Sequence, residues 1–174
     1  MKRQYLFVIA VFLSLFYVEA FTEAQPNTVP TCSAAVYQQF DFWLGDWEVA
    51  TADGKVAGHN RIERVNRCLL METWSGAQGA IGKSINYFDP LKNLWIQHWV
   101  SDSSIIHLAG KFENGAMVME GTITYIATGQ QKLFRGSWTQ LEDGRVRQFF
   151  EEQSDDGWQQ WFEGFYKKSP SQGQ

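Results

Sequence analysis

The sequence predicts an all-β fold: one antiparallel up-and-down β-barrel of about nine or ten strands, with a short helix on its N-terminal side. Three observations carry this reading. Turn signals recur along the chain at Asp53-Gly54, Gly76 to Gly79, Asp89-Pro90, Asp102-Ser103, Asn114-Gly115, Thr128-Gly129, Asp143-Gly144 and Asp156-Gly157. Each supplies a residue tolerant of positive φ or a side chain that closes its own turn. The intervals are mostly about ten to fifteen residues, room for a strand and a hairpin turn but not for a crossover helix. The segments between turns are rich in β-branched and aromatic residues. A meander of consecutive hairpins leaves two open edges unless it closes, and closure removes them.

From the N-terminus, Lys2 and Arg3 precede a near-continuous apolar run over residues 5–18, too short for a comfortable membrane span. Val18-Glu19-Ala20 offers small residues at the two positions a signal peptidase reads, so residues 1–20 are expected to be a cleaved signal peptide. Thr22-Glu23-Ala24 is a second candidate site, and the alternative reading is an uncleaved N-terminal anchor. Export makes the protein secreted or periplasmic, with no stable membrane anchor. Removing the first 20 of 174 residues leaves 154, one domain's worth of chain. The cut removes Lys2, Arg3 and Glu19 and takes the formal net charge from −4 to −5. A mildly acidic surface without long basic runs argues against nucleic acid as a partner.

Residues 21–31, with Pro26 and Pro30 among small polar residues, read as a flexible leader, and residues 169–174 as a flexible tail. Between them lies one domain, 32–168. Its two cysteines, Cys32 and Cys68, are most simply a disulfide in an oxidising compartment, worth roughly 3–4 kcal/mol in the chain-entropy model. The alternative is two buried free thiols. Residues 34–44 place Val36, Phe40, Trp43 and Leu44 at helical spacing, a short helix able to plug one end of the barrel. Gly45-Asp46-Trp47 then enters the first strand. Residues 94–100, 116–126 and 133–139 are the clearest strands further on. Aromatic residues make up 16% of the chain, with eight Trp, enough ring bulk to fill or line a barrel interior.

The run Phe40-Asp41-Phe42-Trp43-Leu44-Gly45-Asp46-Trp47, together with Cys68-Leu69-Leu70-Met71-Glu72-Thr73-Trp74, Trp95-Ile96-Gln97-His98-Trp99 and Val146-Arg147-Gln148, resembles a family of exported, mostly bacterial proteins marked by an FDFWLGDW-type motif. The resemblance covers most of the mature chain and implies a lipocalin-like barrel of the calycin kind, without implying a ligand. The early Gly-x-Trp is more distantly similar to nitrobindin-type haem barrels. Those continue with further glycines, whereas Glu48-Val49-Ala50 follows here and no later histidine stands out as an axial ligand. No cofactor is expected. In calycins the early Trp commonly packs beneath a basic side chain from the end of the barrel. The resemblance therefore implies a structural group of Gly45, Trp47 and either Arg147 or Lys167, with Arg147 favoured because a guanidinium stacks better on a ring.

Candidate chemistry is sparse. If Asp102-Ser103 is a two-residue loop, His98 lies directly opposite His107, close enough to share a metal or act as an acid–base couple. The opposite face of that hairpin is bulkier and more apolar, so the pair is expected as a surface or partly buried structural pair, and no metal site is assigned. Leu70, Glu72 and Trp74 share one strand face. If Trp74 faces a cavity, so does Glu72, whose pKa an apolar interior would raise; alternatively Glu72 pairs with Arg64 or Arg135. Gln97 shares its face with Trp95 and Trp99, as a polar handle between rings or as an ordinary core amide. Gly-x-Ser-x-Gly, a phosphate loop, His-Glu-x-x-His and a calcium loop are all missing from the sequence.

The sequence therefore points to a small apolar or amphipathic molecule held inside the barrel. Trp74, Trp95, Trp99 and Trp138 would supply ring surface, and Glu72 and Gln97 would fix orientation. The balance leans away from catalysis and names no catalytic residue. The alternatives are an isomerase, lyase or hydrolase using a cavity carboxylate or histidine, and a filled barrel acting as an interaction module.

Overall fold

A computed structural model describes residues 31–169. The predicted signal peptide, residues 21–30 of the leader and residues 170–174 of the tail lie outside the described residues. Ten strands follow one another: β1 (Gly45–Ala50), β2 (Val56–Asn66), β3 (Leu69–Gly76), β4 (Ile81–Asp89), β5 (Leu94–Ser101), β6 (Ser104–Glu113), β7 (Ala116–Tyr125), β8 (Gln131–Gln140), β9 (Val146–Ser154) and β10 (Gly157–Lys168). Each pairs antiparallel with its sequence neighbours, and β1 pairs with β10 to close the barrel. The expected all-β up-and-down barrel is what forms.

The turns follow their residues. Gly54, Gly79, Asn114, Gly115, Gly129, Gly144 and Gly157, all in or beside hairpin loops, take positive φ. Two hairpins, β2–β3 and β5–β6, carry no Gly or Pro in or beside the loop. The β2–β3 turn is closed by the Asn66 side chain, whose Oδ1 accepts from Cys68 N at 2.8 Å, and by the Cys32–Cys68 disulfide, with Cα atoms 5.1 Å apart. The disulfide ties the N-terminal segment to this corner.

The predicted short helix is two 3₁₀ turns, Ala35–Gln38 and Asp41–Trp43. Its buried positions are Tyr37, Phe40 and Trp43, three residues apart. That is the 3₁₀ period, not the 3.6-residue spacing of Val36, Phe40, Trp43 and Leu44. The segment plugs one end of the barrel. Phe40 stacks on Trp43 with centroids 4.9 Å apart and meets Trp95 of β5 and Trp138 of β8 edge-on at 5.6 and 5.4 Å. Among the described residues, no helix is long and apolar enough to cross a membrane.

Gly45 starts β1 at φ 129°, and a Cβ there would overlap Lys168 Nζ. Lys168 needs that space. Its ammonium donates to Leu44 O and lies 3.7 Å from the centroid of the Trp47 ring, while Trp47 Nε1 donates to Trp43 O at 2.8 Å. The Gly-x-Trp motif thus locks the plug to the barrel wall. The cation over Trp47 is Lys168, which corrects the expectation of Arg147 or Lys167. Lys168 is the residue directly opposite Trp47 in the ladder and so shares its face, while Lys167 lies opposite Glu48. Arg147 alternates outward between buried Val146 and Gln148, where it pairs with Glu163 at 2.7 Å and covers Phe149.

Candidate functional site

The plug fills only part of the interior. Beyond it, toward the β3–β4, β5–β6 and β9–β10 hairpins, lies a cavity of about 160 Å³. Its floor is a belt of polar side chains. Glu72 of β3 is 4% exposed. Its Oε1 accepts from Asn60 Nδ2 of β2 at 2.7 Å, and its Oε2 from Ser84 Oγ of β4 at 2.6 Å. The chain continues on both sides. Asn86 Nδ2 donates to Ser84 Oγ at 2.8 Å, and Gln97 Nε2 of β5 donates to Asn86 Oδ1 at 2.9 Å. On the other side Asn60 Nδ2 also reaches the Tyr166 hydroxyl of β10 at 3.1 Å, and that hydroxyl donates to Gln148 Oε1 of β9 at 2.6 Å. Seven buried side chains from six strands are joined in one network. Each inward position follows from strand alternation, and each bond spares a buried polar group the penalty of lying unpaired. Asn60 Oδ1 remains buried without a partner among the described residues.

The walls are rings. Trp74, Trp99, Phe150 and Phe162 line the cavity, joined by Trp161 near its rim. Trp161 arrives there through a β-bulge. The β9–β10 register shifts between Gln160 and Phe162, so that both Trp161 and the adjacent Phe162 line the cavity. Trp161 is 43% exposed. Its ring packs against Phe134 at 5.3 Å, and its Nε1 donates to the Tyr125 hydroxyl at 3.1 Å. Trp99 is seated by Gly82, where any Cβ would overlap its indole.

Burial dominates the electrostatics. Desolvation pushes the Glu72 carboxyl from an ordinary 4.5 up to about 7, against the lowering effect of the Ser84 and Asn60 hydrogen bonds. Among the described residues no cation offsets this: Arg64 pairs with Asp41 and Arg135 with Glu151 at 2.6 Å, so neither alternative partner reaches Glu72. Burial, then the nearby Glu72 charge, raises the Tyr166 phenol well above its usual range. Glu72 can therefore exchange a proton near neutrality, while Tyr166 stays a neutral hydrogen-bonding group.

Of the expected site residues, Glu72, Trp74, Gln97 and Trp99 converge on this cavity. Trp95 and Trp138 do not, which corrects their assignment. Both point inward, but at the plugged end: Trp95 Nε1 donates to Gln39 Oε1 at 3.2 Å, and Trp138 packs on Phe40 and Trp43. Gln97 is tied into a side-chain network rather than to backbone. His98 and His107 do face each other in the ladder, with ring centroids 4.6 Å apart, on the outer face. Partial burial, followed by repulsion from His107, lowers the His98 pKa. Sequence reasoning missed Asn60, Ser84, Asn86, Gln148, Phe150, Trp161, Phe162 and Tyr166. The adjacent Trp161-Phe162 pair, which breaks strand alternation, was the one legible signal among them.

These features define a class: a closed ten-stranded antiparallel barrel, plugged at one end and hollow at the other, with an aromatic cavity over a buried polar floor. No protein-family model matches the chain, and a search of the curated proteins finds none similar to it.

Proposed function

We propose that the protein is an exported small-molecule-binding barrel. The carrying observation is the half-hollow interior: ring walls surrounding a few buried polar groups are the usual composition of a ligand site. The volume limits the occupant. About 160 Å³ is close to what a benzene-sized molecule takes up in an apolar interior. The ligand is therefore about one ring in size, or is a longer molecule with one end inserted past Trp161. Its apolar body lies against Trp74, Trp99 and Phe150, and a polar group meets Glu72 or Gln97. The disulfide and the N-terminal apolar run support export, as does the resemblance to exported proteins with the same opening motif. Native mass spectrometry of gently purified protein, with tryptophan quenching by single-ring compounds, tests this. Retained mass or saturable quenching is expected, and a flat response to every compound would refute it.

A second reading rests on one observation. Glu72 is desolvated and sits two hydrogen bonds from Tyr166, an arrangement suited to moving a proton on a bound molecule. It predicts deuterium uptake from D₂O into a bound carbonyl compound, lost in Glu72→Gln; plain binding predicts recovery of the compound unchanged.

A further inference from the structure

The cavity's polar floor holds one carboxylate, Glu72, among neutral side chains. Glu72 contributes two carboxylate oxygens, each with one neutral donor and a further lone pair to spare. Gln97 commits one of its two amide N–H groups to Asn86, and no hydrogen bond to its Oε1 is seen among the described residues. The Tyr166 hydroxyl has given its proton to Gln148. Gln97 and Gln148 each keep an amide N–H to donate, but both are neutral and neither offsets the charge of the carboxylate. A buried carboxylate with no cation beside it, roofed by three indoles and two phenyl rings, is half of an ion pair in a setting that favours positive charge.

We propose, building on the small-molecule reading above, that the ligand is a small organic cation: a protonated primary or secondary amine about one ring in size. Its N–H groups donate to Glu72 and Gln97 Oε1, while Trp74, Trp99 and Trp161 present ring faces to the charge and to the carbon frame. An anionic ligand meets the Glu72 carboxylate and is repelled. A neutral alcohol makes one donated bond and leaves the charge unpaired. Of the residues lining the cavity only Glu72 and Tyr166 titrate, and Tyr166 keeps its proton across the neutral range. Amine binding therefore follows the ionisation of Glu72 alone.

The test is isothermal titration of the full chain, as secreted, with benzylamine, benzyl alcohol and benzoate. At pH 8 benzylamine is expected to bind at least about tenfold tighter than benzyl alcohol, the ratio one charge-assisted bond supplies, with no heat from benzoate. Lowering the pH from 8 to 5.5 weakens the amine far more than the alcohol. In Glu72→Gln the amine loses its advantage over the alcohol. Should that variant fail to fold, the wild-type pH series decides. Alcohol or benzoate binding as tightly as the amine, or an amine preference that persists in Glu72→Gln or is insensitive to pH, overturns the cation and leaves the small-molecule reading standing. Silence from all three compounds overturns both.

Discussion

Replacing Glu72 by Gln keeps the side chain's shape and removes its ionisation, so stability before and after measures what the buried charge costs. Below pH 4.5, folded and unfolded chains both hold the proton and the group contributes nothing to pH dependence. Between 4.5 and about 7 the unfolded chain releases the proton while the fold retains it, so stability falls as pH rises. Above 7 the penalty is complete. A rise from 4.5 to about 7 corresponds to about 3 kcal/mol at about 1.4 kcal/mol per unit. The Gln amide fits the same place, because Ser84 can still donate to its oxygen and Asn60 can turn its unpartnered Oδ1 to accept from its nitrogen. Urea denaturation of both proteins at pH 4 and pH 8, disulfide intact, reads the difference directly. The variant is expected to match the wild type at pH 4 and to exceed it by about 3 kcal/mol at pH 8, some 6–12 °C in Tm for a domain of this size. Other carboxylates titrate over this range but cancel between the two proteins. A gap equal at both pH values, or a variant weaker at pH 8, would refute the claim that burial raises Glu72.

Four further outcomes follow from the geometry. Replacing both Cys32 and Cys68 by Ser should cost about 4 kcal/mol, given the 36-residue separation, read by chemical denaturation under non-reducing conditions. Gly82→Ala drives a methyl group into the Trp99 indole; about 1–3 kcal/mol of overpacking and a weakened response of Trp99 to single-ring probes are expected. Trp161→Ala, at the exposed rim, should lower stability by no more than about 1 kcal/mol while reducing probe affinity several-fold by titration. Lys168→Met removes the cation over Trp47 and the bond to Leu44 O; a loss of about 1 kcal/mol and a shifted Trp emission would show it.

The hairpins were readable because their causes are local. An Asn-Gly or Asp-Gly takes positive φ from its own covalent structure, and the opposition of His98 to His107 follows from counting residues out from a two-residue loop. Glu72 was readable for the same reason, since strand alternation puts it on the face of Leu70 and Trp74. Trp95 and Trp138 show the limit. Alternation sends both inward correctly, but it carries no information on how deep the plug reaches, and Phe40 and Trp43 occupy the space they would have offered a ligand. Arg147 shows another: the partner of Trp47 depends on the closing β1–β10 register, a pairing between opposite ends of the domain.

By itself the amino-acid order determined the strand-and-turn rhythm and the antiparallel meander, made Cys32–Cys68 the simplest pairing, and put Glu72 with Trp74, and Gln97 with Trp99, on shared strand faces. These depend on backbone chemistry within a few residues, or on there being only two cysteines. Only the tertiary structure decided which part of the interior is filled, that a bulge brings Trp161 to the rim, and that Asn60, Glu72, Ser84, Asn86, Gln97, Gln148 and Tyr166 join in one network. Those outcomes depend on volumes and distances between residues up to 106 positions apart. Such distances exist only once the barrel has closed.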